Sequence, residues 1–203
     1  MTTKEKIVME ALNLFSKNGY KGTSVKKIAD AVGIKDSSLY KHFKSKQEIF
    51  DTIMLTIKER IHSMSQKFGL PEGENYEKAV EFYSELSEEG LVKFSREIFL
   101  FYLKDELISK FWRMGMMEQF QNDEVYSLFR EFFLEDSIKY QTELFSNLIE
   151  KNIFKKVDPE VMAISFYTPI FFLISKYSGS KDEQEALRIL DKQVSEFYHL
   201  YRI

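Results

Sequence analysis

Thr23-Ser24-Val25-Lys26-Lys27-Ile28-Ala29-Asp30-Ala31-Val32-Gly33-Ile34-Lys35-Asp36-Ser37-Ser38-Leu39-Tyr40-Lys41-His42-Phe43-Lys44-Ser45-Lys46 is the stretch from which the fold is read: two short helices around a glycine turn. In the first helix Val25, Ile28, Ala29 and Val32 fall at i, i+3, i+4 and i+7 and line one buried stripe, with Thr23 or Ser24 placed to cap its start. Gly33 supplies the left-handed backbone position that stops a helix within one residue. In the second helix only Leu39 and Phe43, at i and i+4, point inward. The opposite side carries Ser37 and Lys41, flanked by Ser38, Tyr40 and His42. Such a helix builds a poor core, but its donors suit a DNA major groove, where they can reach base edges and phosphates. A helical hairpin whose polar face is merely solvated is the plainer reading of the same pattern.

The flanks favour the first reading. Lys46 opens the next helix, where Ser45 and Glu48 have capping-box spacing and where backbone N–H groups and the helix dipole favour a phosphate. The run Gly19-Tyr20-x-Gly22-Thr23-Ser24-Val25-x-x-Ile28-Ala29, then Gly33-Ile34, then Ser38-Leu39-Tyr40-x-His42-Phe43-x-x-Lys46, resembles the DNA-binding domain of the TetR family of bacterial transcriptional regulators. The match covers roughly the first 60 residues. It implies a helix-turn-helix at 24–43 within a DNA-binding domain at 1–61, and a helical ligand-binding and dimerisation domain at 62–203. Ser37, Ser38 and Lys41 are the expected base contacts, Lys41 preferably to guanine. Thr23, Ser24, Tyr40, His42 and Lys46 are expected on phosphate, by motif position and by the resemblance. Lys26, Lys27 and Lys35 are looser electrostatic candidates. Asp36 could cap the second helix or accept from a cytosine amine, and beside phosphate it would otherwise weaken binding.

Composition agrees with such a protein. An apolar fraction of 44% with 30% charged residues describes a soluble globular chain, and eight glycines with three prolines favour long helices over a sheet. The absence of cysteine excludes disulfides and thiolate metal sites and fits a reducing, cytoplasmic setting. Lys4, Glu5 and Lys6 interrupt any early apolar run, so no signal segment is expected. The net charge of −3 hides an asymmetry: positions 1–50 hold ten lysines against five acids, so the basic end is where DNA affinity is expected.

Taken in order, residues 4–18 form an amphipathic helix with Ile7, Ala11, Leu14 and Phe15 on one face. From Ser45 to about Phe68, a stripe of Ile49, Phe50, Ile53, Ile57, Ile61, Met64 and Phe68 predicts a long connector helix, whose movement would tilt the DNA-reading head. Leu70-Pro71-Glu72-Gly73-Glu74 reads as a loop. Further helices are expected at roughly 75–88, 91–104, 106–119, 123–152, 159–177 and 183–201, with Gly115 a possible interruption and no strand pattern. The fold class is therefore all-α.

The middle of the body is rich in aromatic and methionine residues. They could simply fill a core. As a group, under the resemblance, they imply a cavity for a small apolar or aromatic effector, with Phe99, Tyr102, Trp112, Met116, Phe129, Phe133 and Phe166 as its candidate walls. Residues 161–174 are apolar nearly all round, too short for a membrane span, and suggest a helix buried on both sides with a kink at Pro169. In the last helix Leu187, Leu190, Val194, Phe197 and Tyr201 recur at steps of 3, 4, 3 and 4. That seam either packs on its own domain or, with Phe172 of the preceding helix, forms a homodimer interface that would set two reading heads on a palindromic operator.

A helical enzyme is the alternative class. Glu59-x-x-His62 and Glu196-x-x-His199 have the spacing of di-iron carboxylate bundles, but both pairs lie about 150° from the apolar stripes of their helices and face away from a core. His42 is the only other histidine, so no histidine-dependent nucleophile, metal site or cofactor is expected. The sequence thus points to a DNA-binding regulator, most simply a repressor released by a small molecule.

Overall fold

The computed structural model describes residues 1–68, 76–180 and 182–203. Eleven α-helices and one π-helical turn account for the described residues, and the single β-bridge among them pairs Phe154 with Arg202. The chain divides into two compact units, Met1–Met64 with Glu106–Phe129, and Ser65–Asp105 with Arg130–Ile203. The expected boundary at 61/62 lies close to the division at 64/65. The segment 106–129, expected in the C-terminal domain, packs instead with the N-terminal unit.

In the N-terminal unit α1 (Thr3–Asn18) starts at a capping box in which Thr2 and Glu5 satisfy each other's backbone N–H groups. Helix α2 (Val25–Val32) is capped by Ser24, whose hydroxyl accepts from the Lys27 N–H, and ends at Gly33 in the left-handed region at φ 77°. These are the cap and the stop that the sequence predicts. Helix α3 (Asp36–Leu39) is only one turn long, and the chain continues to Phe43 through i→i+3 turns such as Lys41 N–H to Ser38 O and His42 N–H to Leu39 O. Lys35 stands at its N-cap position with no side-chain cap bond, so Asp36 does not cap it. Helix α4 (Lys46–Lys67) buries Ile49, Phe50, Ile53, Met54, Ile57 and Met64.

Helix α1 buries a second stripe, Val8, Leu12 and Ser16, beside the Ile7, Ala11 and Phe15 stripe, whereas Leu14 is half-buried. Two stripes are needed because α1 packs on α2 and also on α7 (Glu106–Glu118), which brings Ile108, Phe111, Trp112 and Met114 into the same unit. Helix α7 runs through Gly115 without interruption, and α8 (Asp123–Arg130) adds Val125 and Phe129.

The C-terminal unit holds α5 (Glu77–Glu85), α6 (Glu88–Lys104), the π-helical turn Glu131–Glu135, α9 (Asp136–Glu150), α10 (Pro159–Tyr177) and α11 (Glu183–Tyr201). The predicted loop at 70–74 lies outside the described residues, and the single helix predicted over 123–152 is divided by the π-turn. A cluster of Ala79, Val80, Leu144, Phe145, Leu148, Phe154, Met162, Ala163 and Phe197 forms its core. No helix among the described residues is long and apolar enough to cross a membrane.

Helix α10 is not buried on both sides as expected. Met162, Ala163, Tyr167, Ile170, Leu173 and Ile174 are inside, while Val161, Ile164 and Phe172 are exposed along one stripe. The seam of α11 is corrected in the opposite sense. Leu190, Val194 and Phe197 are buried within their own unit, where α11 packs on α6 and α10, so a second chain cannot bury them again. Leu187 and Tyr201 are half-buried.

Candidate nucleic-acid interface

The second half of the helix-turn-helix is held to the unit by two side chains. Leu39 and Phe43 are fully buried, and together they anchor the segment with roughly 1.5–3 kcal/mol each. Around them Lys35, Asp36, Ser37, Tyr40, Lys41 and His42 are exposed, with Ser38 half-buried. Tyr40, at 53% exposed, is a large ring held out in solvent. Ser24, Lys26 and Lys27 are exposed at the start of α2, so hydroxyls, imidazole and ammonium groups share one open, polar surface. Such a surface offers donors for bases and cations for phosphates.

Two of the expected phosphate contacts are placed otherwise. Thr23 is buried, and its hydroxyl donates to the Gly19 carbonyl at 3.0 Å, so its side chain closes the turn before α2 rather than facing outward. Ser24, the other capping candidate, is the one that caps α2. The Lys46 ammonium donates to the carbonyls of Tyr20 and Thr23 at 2.9 and 3.0 Å and lies 4.1 Å from the centroid of the Tyr20 ring. Burial lowers the Lys46 pKa, against the charge of Glu118, which raises it. Half of the predicted capping box at Ser45 is present, its hydroxyl accepting from the Glu48 N–H at 3.1 Å, while the reciprocal bond is displaced by one residue, the Glu48 carboxylate accepting from the Lys44 N–H.

Sequence reading missed two cations and one acid here. Lys44 is exposed directly after the reading segment, and Lys4, from the first turn of α1, lies 5.3 Å from the Phe43 ring centroid. Lysines near such a segment could have been found by charge alone. Glu118 could not: it is 98 residues from Tyr20 in sequence, yet its carboxylate accepts the Tyr20 N–H at 2.6 Å.

The candidate effector walls are divided between the two units. Trp112 and Phe129 are buried against each other in the N-terminal unit, with ring centroids 5.3 Å apart, and Met116 belongs to the same unit. In the C-terminal unit Tyr102 meets Phe133 edge-on at 5.8 Å, Tyr167 donates its hydroxyl to the Phe133 carbonyl, and Phe99 is fully buried. Phe166 lies elsewhere in that unit, 4.7 Å from Phe197. Glu59, His62, Glu196 and His199 are all exposed, His199 lying 3.2 Å from Glu88, and no metal-binding group of three or more His, Asp or Glu residues occurs among the described residues.

Comparison with known proteins agrees with this geometry. The family model described as bacterial regulatory proteins, tetR family, matches residues 7–53. The chain is 50% identical over 48 residues to IcaR of Staphylococcus aureus, the HTH-type negative transcriptional regulator of the biofilm operon icaADBC. That match spans 24% of this chain and only 26% of IcaR. Across the whole chain the fold is shared with SmeT in its complex with triclosan, at TM-score 0.69 and 16% identity, covering 100% of this chain and 93% of that one. It is shared equally with GusR of Salmonella enterica, at TM-score 0.64 and 22% identity, covering 98% and 94%. Residues 7–53 thus carry the helix-turn-helix of the TetR family of bacterial regulatory proteins, and the chain as a whole shares the all-α fold of these solved structures.

Proposed function

We propose that the protein is a cytoplasmic transcriptional repressor that binds a palindromic operator as a homodimer and is released by a small apolar or aromatic effector. One observation carries this: the reading segment is pinned by Leu39 and Phe43 alone and leaves Ser37, Lys41, Tyr40 and His42 open to solvent on a basic surface. A helix that contributes so little to its own core is accounted for by an external partner with phosphates and base edges. Ser37, Ser38 and Lys41 read bases, while Ser24, Lys35, Tyr40 and His42 position the backbone. The likeness of a 48-residue stretch to the negative regulator IcaR supports repression.

The second chain of the dimer docks on α10, through the exposed stripe of Val161, Ile164 and Phe172. Two heads related by a two-fold axis then meet half-sites about one helical turn of DNA apart. The effector enters the aromatic interior of the C-terminal unit, and the complex of SmeT with triclosan supports a small-molecule effector. To release DNA it must bind the DNA-incompetent state more tightly, since equal affinity for both states would shift nothing.

The test is fluorescence anisotropy with duplexes tiled across the DNA flanking the protein's own coding sequence, alongside duplexes selected from a random pool. A selected duplex bound at least about a thousandfold more tightly than unrelated DNA supports the reading. Equal affinity for every duplex at physiological salt would refute it.

A further inference from the structure

Glu118 is the last residue of α7 and is 3% exposed. Its Oε1 accepts the Tyr20 N–H at 2.6 Å, and a Cβ on Gly19 would lie 2.7 Å from that oxygen, so the carboxylate rests directly on the peptide joining Gly19 and Tyr20. Gly19 is at φ 72°, a backbone that favours glycine, which also clears the space the carboxylate occupies. The Tyr20 carbonyl accepts from Lys46 at 2.9 Å, so this residue's backbone is gripped at its N–H from α7 and at its oxygen from α4. Thr23, whose hydroxyl bonds to Gly19, completes the closed turn, and the next residue, Ser24, caps α2.

This is a costly arrangement for stability alone. Oε2 of Glu118 is buried and has no hydrogen-bond partner among the described residues. A negative charge at a helix C-terminus also opposes the helix dipole. A half-satisfied buried carboxylate destabilises unless something else requires it.

We propose that Glu118 is a positioning residue for DNA recognition: from the end of α7 it clasps the turn between α1 and α2, opposite Lys46, and so sets the pose of the helix-turn-helix. The proposal rests on the DNA-binding reading above and adds to it the residue through which α7 controls the head. Holding the turn in advance removes an ordering cost that binding would otherwise meet, so loosening the clasp weakens recognition.

The experiment compares full-length wild type, E118Q and E118A on a duplex that wild type selects from a random pool, with amide hydrogen exchange on the free proteins. E118A is expected to lose affinity by about tenfold or more, with the slope of log K against log salt unchanged, because no phosphate contact is removed. E118Q keeps an oxygen that can accept from Tyr20 and is expected to lose less. Exchange at Tyr20 rises in E118A, while α9 and α10 keep their protection. The proposal is overturned if E118A binds as tightly as wild type or more tightly, or if protection falls equally in the C-terminal unit, which would mark a general loss of stability. If E118A does not fold, E118L, which fills the space but cannot accept from Tyr20, decides: unchanged affinity and unchanged Tyr20 exchange overturn the proposal. If wild type itself selects no duplex, the DNA-binding reading fails and this role fails with it, a result distinct from a variant that merely matches wild type.

Discussion

The Lys46 ammonium donates to the Tyr20 carbonyl at 2.9 Å while lying 4.1 Å from the centre of that residue's ring, so it is engaged within the head. Losing its two charge-assisted bonds should cost about 1–3 kcal/mol of stability in Lys46→Ala. The salt slope of DNA binding should stay within experimental error of wild type. Lys35→Ala, which removes an exposed cation, should leave stability unchanged and lower the slope by about one. Denaturant melts and salt titrations check both, and a slope lowered by one in Lys46→Ala would return that lysine to the phosphate backbone.

The head was legible because its signals are local. Gly33, the Ser24 cap and the Leu39 and Phe43 anchors are separated by a few residues, and spacing alone orders them. What joins α7 to the head was not legible. The apolar positions of 106–118 show that the helix has a buried face but not which partner covers it, and α1 was assigned one stripe where it buries two. The same limit applies to the aromatic residues: Trp112 and Phe133 look alike in composition but belong to different units. On α11 a seam at steps of 3 and 4 fits a partner chain and the protein's own α6 equally well, and burial of Leu190 and Val194 decides for the latter.

Gly115 lies under the Phe129 ring: a Cβ there would be 2.3 Å from Cδ2 and 2.6 Å from Cγ. Gly115→Ala should destabilise by about 1–3 kcal/mol despite the better helix propensity of alanine, because a ring packed against Trp112 has little room to retreat. Gly90→Ala, in the first turn of α6, meets only the movable end of Leu86 at 3.1 Å and Ser87 Oγ at 3.4 Å. It should be neutral or stabilising by up to about 1 kcal/mol. Opposite signs in urea melts are the expected outcome, and equal signs would argue against the packing.

Phe172 is 58% exposed and Leu190 is fully buried, although both were candidates for one interface. Phe172→Arg should leave the chain folded and shift sedimentation from dimer to monomer at micromolar concentration, with operator affinity falling as half-site coupling is lost. Leu190→Ala should instead destabilise the fold by about 2–5 kcal/mol and change assembly only through that loss. A dimer undisturbed by Phe172→Arg would place the interface elsewhere.

Burial in the C-terminal unit pushes the Tyr102 hydroxyl up to about 12 from an ordinary 10.0, and raises those of Tyr83, Tyr140 and Tyr167 as well. Each then holds its proton in the folded state at a pH where the unfolded chain has released it. The folded state therefore binds more protons above pH 10, and stability must fall as pH rises from there towards 12. These groups contribute fully below pH 10. Circular dichroism should report a cooperative alkaline transition, and the share of tyrosinate absorbance that comes from these four rings should appear together with it, since they ionise only as the unit opens. Tyr102→Phe removes one contributor and should lose less stability between about pH 9 and 11.5 than wild type does. Tyrosinate absorbance rising in full before any loss of helical signal would mean that these hydroxyls are open to hydroxide in the folded protein.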